Sequence, residues 1–206
     1  FPVLALRTIE DNQAAEAIRW IPQFIEAGYA VVTQDCRGRF DSAGDWEPYV
    51  HETTDGHDLI EWISSQPWSD GSVGMFGSGY SGYAQTRAAL GDSKALKAIA
   101  PASSQQDNFG YWFTHGPFQW HTALQFLETT GRTLQTGALS FLNREKLWSR
   151  LPLVDAFDDI AEVPFFKQAL QHNRYDEFWK SDSLLDRYGD IDVPALFITG
   201  WYDVLL

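Results

Sequence analysis

The stretch Ser72-Val-Gly-Met-Phe-Gly-Ser-Gly-Tyr-Ser-Gly-Tyr-Ala-Gln85 constrains the fold more than any other part of the chain. Val73, Met75 and Phe76 suit a buried strand, the run breaks at Gly77, Gly79 and Gly82, and a helical pattern resumes from Tyr80 to Leu90. The segment therefore reads as strand, sharp turn, helix. Closely spaced glycines permit a tight turn with close packing, which side chains would obstruct.

The rest of the chain repeats the same alternation. Phe1–Leu6, Tyr29–Gln34 and Ala95–Ala100 read as further buried strands. Pro22 opens a short helix with Phe24 and Ile25 turned inward and Gly28 closing it. Thr53 or Thr54 caps the next helix, with Asp55 in its first turn and Leu59, Trp62 and Ile63 as its buried stripe. Strands alternating with helices imply a parallel, doubly wound sheet. An apolar run from the first residue suggests that the chain starts inside a fold. From about Ser103 to Asp182 the strand rhythm stops, and helical or irregular segments dense in Phe, Trp and Leu take over. Val193–Thr199 then returns to a strand. The expected organisation is an α/β core over 1–102, an inserted helical cap over 103–182, and a return of the core over 183–206.

At 206 residues, with 44% hydrophobic and 15% aromatic content, the chain can bury one large core. Its formal charge of −13 argues against nucleic acid and against anionic membrane surfaces as partners. No apolar run reaches transmembrane length. Cys36 is the only cysteine, so neither an intrachain disulfide nor a cysteine-based metal cluster can form, and a buried, inert thiol is expected. His115 and His121 are six residues apart, which is not a helical ligand spacing. His57, near a helix start, reads as structural or solvated. No metal ion and no organic cofactor is implied.

Several short words occur in a telling order: Gly28-Tyr-Ala-Val-Val-Thr-Gln-Asp35, Arg37-Gly38, Asp55-Gly-His-Asp58, Trp62, Gln66-Pro-Trp68, Gly74-Met-Phe-Gly77 and Gly200-Trp-Tyr-Asp203. Together they resemble the cocaine esterase, α-amino-acid ester hydrolase and Xaa-Pro dipeptidyl-peptidase family of serine hydrolases. The resemblance spans residue 1 to about 110 and again about 183 to 206, and is weak between. It implies an α/β-hydrolase fold with an inserted cap, incomplete at both ends, and an acyl-enzyme mechanism on a small ester, amide or short peptide. Gly77–Gly82 is then the nucleophile elbow. Asp203 takes the acid position, the Tyr80 N–H faces the oxyanion, and Trp112, with Phe113 and Trp120, lines the substrate pocket. Arg37 and Asp35 read as bracing rather than catalytic. The protein partners implied are a second copy of the chain or a carboxyl-terminal β domain.

The departures from that family are specific. Its elbow reads Gly-x-Ser-Tyr-x-Gly, and here Gly79 stands where the nucleophilic serine is expected. Ser78 and Ser81 flank the apex and should point away from it. The family's Arg-x-Pro-Tyr, whose tyrosine hydroxyl completes the oxyanion hole, is replaced by Arg7-Thr-Ile-Glu-Asp11. None of the five histidines follows Asp203 in these residues. Three readings stay open: a serine hydrolase in a partial, nucleophile-less form; a hydrolase-fold protein that binds an ester, peptide or protein partner without turnover; and an enzyme that uses Ser81 or an unrelated site.

Overall fold

The apolar runs at Val3–Thr8 (β1), Ala30–Asp35 (β2), Val73–Ser78 (β3) and Leu96–Ala102 (β4) form one parallel sheet in the order β2-β1-β3-β4. These positions come from a computed structural model, which describes residues 1–13, 18–131, 150–156 and 164–203. The chain divides into two compact units, Phe1–Gln106 with Leu184–Leu206, and Asp107–Ser183.

In the first unit, Val3 pairs with Ala30 on one side and Val73 on the other, so β1 is flanked by strands and its side chains are mostly buried. The chain leaves β1 outward to β2 and returns to β3 on the opposite side. That reversal is a topological switch point, and α/β sheets bind ligands outside the carboxyl ends of the strands at such a point. Residues 193–199 extend the sheet beyond β4. They make two isolated parallel bridges, Ile99 with Ala195 and Ala102 with Ile198. The Leu196 N–H donates to the Ile99 carbonyl at 3.0 Å and the Ile198 N–H to that of Pro101 at 3.0 Å. Pro194 and Pro101 bring no N–H, so pairing here is broken rather than continuous.

The described residues of this unit include the helices Ile21–Glu26 (α1), Glu52–Ser64 (α2) and Tyr80–Ala89 (α3). The main core joins Leu59, Ile60 and Ile63 of α2 to Ala88 and Ala89 of α3 and to the inward side chains of the sheet. Burial of an isoleucine such as Ile60 or Ile63 contributes about 1.5–3 kcal/mol. The two helices touch at Gly56, where a Cβ would lie 2.5 Å from that of Ala88.

Three local expectations are corrected. Ile25 points to solvent, 57% exposed, and α1 buries no residue fully; Phe24 is half-buried, packing edge-on against Phe76 with ring centroids 4.8 Å apart. α2 starts at Glu52, so Thr53 and Thr54 lie inside its first turn instead of capping it, and the Thr54 hydroxyl donates to the His51 carbonyl at 3.1 Å. Its inward stripe is Glu52, Gly56, Leu59, Ile60 and Ile63. Trp62 falls off that stripe, 53% exposed, and meets Trp68 edge-on at 6.4 Å.

The second unit carries Asn108–Trp112 (α4), Trp120–Gly131 (α5), Pro164–Gln171 (α6) and Glu177–Lys180 (α7). Asp107 caps α4 by accepting from the Phe109 and Gly110 N–H groups, and Asp176 caps α7 through the Phe178 N–H. The Asn108 side-chain amide donates to Asp182, joining the two ends of the unit. Trp112 is fully buried at the centre, with Phe118, Phe126, Phe165 and Phe166 around its ring at centroid distances of 5.5–6.0 Å. The expectation of helical or irregular structure over 132–149 and 157–163 lies outside the described residues.

Candidate functional site

The turn between β3 and α3 lies at the carboxyl end of the sheet, beside the switch point. Gly79 sits at its apex with φ 59° and ψ −125°, a conformation that side-chain-bearing residues enter only under strain. Its N–H donates to the Ala102 and Ser103 carbonyls at 3.0 and 3.1 Å, and its carbonyl accepts from Gly82 and Tyr83. The three glycines of the turn differ in what surrounds them. A Cβ on Gly77 would lie 2.6 Å from that of Ser81, and one on Gly82 would lie 2.6 Å from that of Ser104. A Cβ on Gly79 would meet nothing within 4 Å. Packing thus demands glycine at 77 and 82, whereas the apex has room for a side chain.

Tyr80 is the first residue of α3, and its N–H has no acceptor earlier in that helix. Its side chain turns down into a buried polar cluster. The Tyr80 hydroxyl donates to Glu52 Oε1 at 3.0 Å and accepts from the Tyr49 N–H at 3.0 Å. The other Glu52 oxygen lies 2.8 Å from Arg7 Nη1 of β1 and 3.6 Å from Cys36 Sγ. Burial, with the Glu52 charge adding to it, pushes both the Tyr80 phenol and the Cys36 thiol well above their ordinary ranges. Cys36 is thereby inert as a nucleophile. Burial opposes the Arg7 charge, but Glu52, Cys36 and Asp55 outweigh it and its pKa stands raised.

Gln85, one turn into α3, ties the elbow to the sheet. Its amide nitrogen donates to the Gly77 and Ser81 carbonyls at 3.2 and 3.0 Å, and its oxygen accepts from the Ala100 N–H at 2.9 Å. Around the turn, loops after β1 and β2 are braced by charge. Asp35 accepts from the Asn12 N–H at 2.9 Å, and Arg37 pairs with Asp55. Arg39 donates to the Ile9 carbonyl at 2.9 Å and stacks over Trp46 at 4.6 Å, and burial lowers its pKa to about 10.

Asp203 follows the last sheet segment, held by its N–H on the Gly200 carbonyl at 2.9 Å and by the Thr199 hydroxyl on Oδ2 at 3.2 Å. The Ser103 N–H donates to the Ile198 carbonyl at 2.8 Å. Gly79 bonds to Ser103 and Ser103 to Ile198, so Gly79, Tyr80 and Asp203 share one end of one sheet. Ser78 is exposed at the strand end, and Ser81 packs back against Gly77. His57 lies against Gly91, beyond the carboxyl end of α3 and so roughly 15 Å from the elbow at 1.5 Å per residue. His172 bonds Asp176 at 2.7 Å and stacks on Phe178 in the second unit. Trp112, Phe113 and Trp120 also belong to the second unit, where Trp112 and Phe113 are buried and Trp120 is half-buried. Among the described residues the Trp112 indole N–H has no acceptor. A cavity of about 570 Å³ opens between β2 and α2, lined by Arg7, Asp35, Arg37, Asp55 and Trp62 among others, with no elbow residue in its wall.

Sequence reasoning missed Glu52, Tyr49 and Gln85. The only sequence signal was polar residues on inward helical positions, Glu52 four residues before Gly56 on the α2 stripe and Gln85 in the middle of α3. Among the described residues no cluster of three or more His, Cys, Asp or Glu is arranged to hold a metal, and no helix is long and apolar enough to cross a membrane.

Comparison with known proteins agrees with this architecture. Cocaine esterase of Rhodococcus sp. (strain MB1 Bresler) is 33% identical over 225 residues, which span 98% of this chain and 39% of that protein. An aminopeptidase from a marine sediment archaeon, Thaumarchaeota archaeon, superposes over 97% of this chain and 38% of its own with a TM-score of 0.77 at 22% identity. An α-amino acid ester hydrolase superposes over 99% of this chain and 40% of its own, with a TM-score of 0.74 at 23% identity. The chain therefore spans about two fifths of the length of these relatives, and the two structures speak to the fold, which is that of an α/β-hydrolase. The profile of the X-Pro dipeptidyl-peptidase (S15) family matches residues 2–206. With its parallel sheet, its turn at Gly79 and that match, the chain belongs to the S15 family of serine hydrolases.

Proposed function

We propose that these residues form the acyl-transfer core of an S15 hydrolase, an esterase, amidase or acyl-peptidase type acting on a small ester, amide or short peptide, with its nucleophile position occupied by glycine. The apex conformation of Gly79, at the switch point and with open space where a Cβ would stand, is the observation that carries this reading. In it the Tyr80 N–H receives the oxyanion and Asp203 orients a histidine and stabilises its imidazolium. As the chain stands, no attacking hydroxyl is present at the apex, so hydrolysis is limited to what binding and an oxyanion donor supply.

A second reading has its own support. Glycine at the apex and the lack of Pro-Tyr after Arg7 favour a protein that binds an ester, peptide or protein partner without turnover. Gly79→Ser separates the two. It is made in the 206-residue chain and in the longest polypeptide that its gene encodes, and both are assayed with p-nitrophenyl esters and a fluorophosphonate. A burst of product with the label mapped to residue 79 supports the hydrolase. An inert serine variant, in a polypeptide that carries a histidine beyond Asp203, favours the binding protein, and labelling at Ser81 would sink both.

A further inference from the structure

We propose that Glu52 is a positioning residue for the oxyanion site: it grips the Tyr80 phenol from below and thereby fixes the direction of the Tyr80 N–H, a role that rests on the hydrolase reading above.

The elbow needs such a grip because its apex is glycine. Gly79 enters many backbone conformations at no steric cost, so the apex residue supplies no steric restraint of its own and the Tyr80 N–H is aimed by the bonds its neighbours make. The preceding plane is tied, since the Gly79 N–H is bonded to Ala102 and Ser103. The plane that carries the Tyr80 N–H is held at its carbonyl end by the Gly82 and Tyr83 N–H groups, at 3.0 and 3.1 Å, and the Tyr80 side chain anchors its other end. Tyr80 is buried, and its hydroxyl is held at 3.0 Å on both the Glu52 carboxylate and the Tyr49 N–H. A hydrogen bond with a charged partner in a buried setting is among the strong ones.

Glu52 is itself immobile. Its side chain is 4% exposed, its Oε2 is 2.8 Å from Arg7 Nη1, and the same Arg7 nitrogen donates to its carbonyl at 3.2 Å. Arg7 is fixed in turn by Gln34 at 2.9 Å and faces Asp55 at 3.7 Å. One carboxylate thus links β1, α2 and the β3–α3 turn at the switch point. Oxyanion stabilisation depends on donors aimed in advance at where charge develops. A carboxylate that holds the donor's own side chain supplies that aim without touching substrate.

Two measurements test the assignment. In the protein with its native Gly79, the order parameter of the Tyr80 N–H, from nitrogen-15 relaxation, should be near 0.85, as for rigid backbone, and be measurably lower in Glu52→Gln. In a Gly79→Ser background that acylates, Glu52→Gln should lower kcat by about 10²-fold, the loss typical of one oxyanion donor, with KM unchanged. An unchanged order parameter overturns the proposal, as does an unchanged kcat in an active serine background. If Gly79→Ser is inert, the hydrolase reading falls, and the order parameter alone still decides whether Glu52 holds the elbow. Should Glu52→Gln fail to fold because Arg7 loses its partner, Tyr80→Phe keeps the Arg7–Glu52 pair and is read in the same two assays.

Discussion

Gly77, Gly79 and Gly82 are alike in the sequence and differ in physical role. Gly77 combines a positive φ of 136° with contact against Ser81 and Leu6, and Gly82 admits the close approach of Ser104. Gly79 has the strained backbone without the crowding. Alanine at 79 should therefore cost only the backbone strain, about 1–3 kcal/mol. Alanine at 77 adds overpacking of about another 1–3 kcal/mol to a similar strain, and alanine at 82 pays the overpacking without the positive φ. Urea unfolding of the three variants checks the order, in which Gly77→Ala loses most; equal losses would show that the apex is as crowded as its neighbours. The spacing of these glycines announces the turn, but nothing in it says which of them has empty space above it. Glu52 was hidden for a different reason. A carboxylate in a first helical turn ordinarily faces water, and only the positions of Arg7 and Tyr80, distant in sequence, reveal that this one does not.

At the scale of elements, every residue of α3 is buried, polar ones included. A helix in that position has to satisfy its side chains internally, and Gln85 does so by bonding both β3 and β4. Gln85→Met keeps the volume and leaves the Ala100 N–H and the Gly77 carbonyl without that partner, which should cost about 1–3 kcal/mol. An unshifted chemical-denaturation midpoint would show that water or the ladder replaces the amide. The four strands were legible because each opens on or contains a short apolar run bounded by turn residues, although β2 is only half-buried and Lys97 and Ala98 of β4, which read as buried in the sequence, are exposed. Which way a helix faces was less legible. Ile25 and Trp62 are as apolar as the residues that point inward, and exposure was decided by where α1 and α2 meet the sheet. The broken pairing of 193–199 did have a sequence signal, since Pro194 and Pro101 cannot donate to a ladder, and the apolar run alone hid it.

At the scale of the molecule, a chain of net charge −13 buries Arg7, Arg39 and Arg87 among its largest fully enclosed side chains. The enclosed groups whose pKa values are shifted include Arg7, Cys36, Arg39 and Tyr80, all of which titrate in alkali. The Cys36 thiol and the Tyr80 phenol are both raised, by burial first and Glu52 second, from ordinary values of 9.0 and 10.0. Each therefore keeps in the folded state a proton that the unfolded chain releases. Their contribution is fully present below about pH 9 and is lost as pH rises, at about 1.4 kcal/mol per pH unit for each such proton. Cys36 acts alone from about pH 9 to 10, and Tyr80 joins it above, with Tyr111, raised by its own burial, acting in the same direction. Arg39 works the other way, because its pKa is lowered from 12.5 to about 10, so above that pH the unfolded chain holds the extra proton and one unit of the loss is offset. The window between about pH 9 and 10 is where a single residue decides the slope. Cys36→Ser keeps a hydrogen-bonding group beside Glu52 and removes the titration. Thermal midpoints measured from about pH 8 to about pH 10 should fall for the native chain and stay level for Cys36→Ser. Parallel curves for the two proteins would mean that the thiol is not held protonated by the fold, and that the alkaline limit is set by charges at the surface.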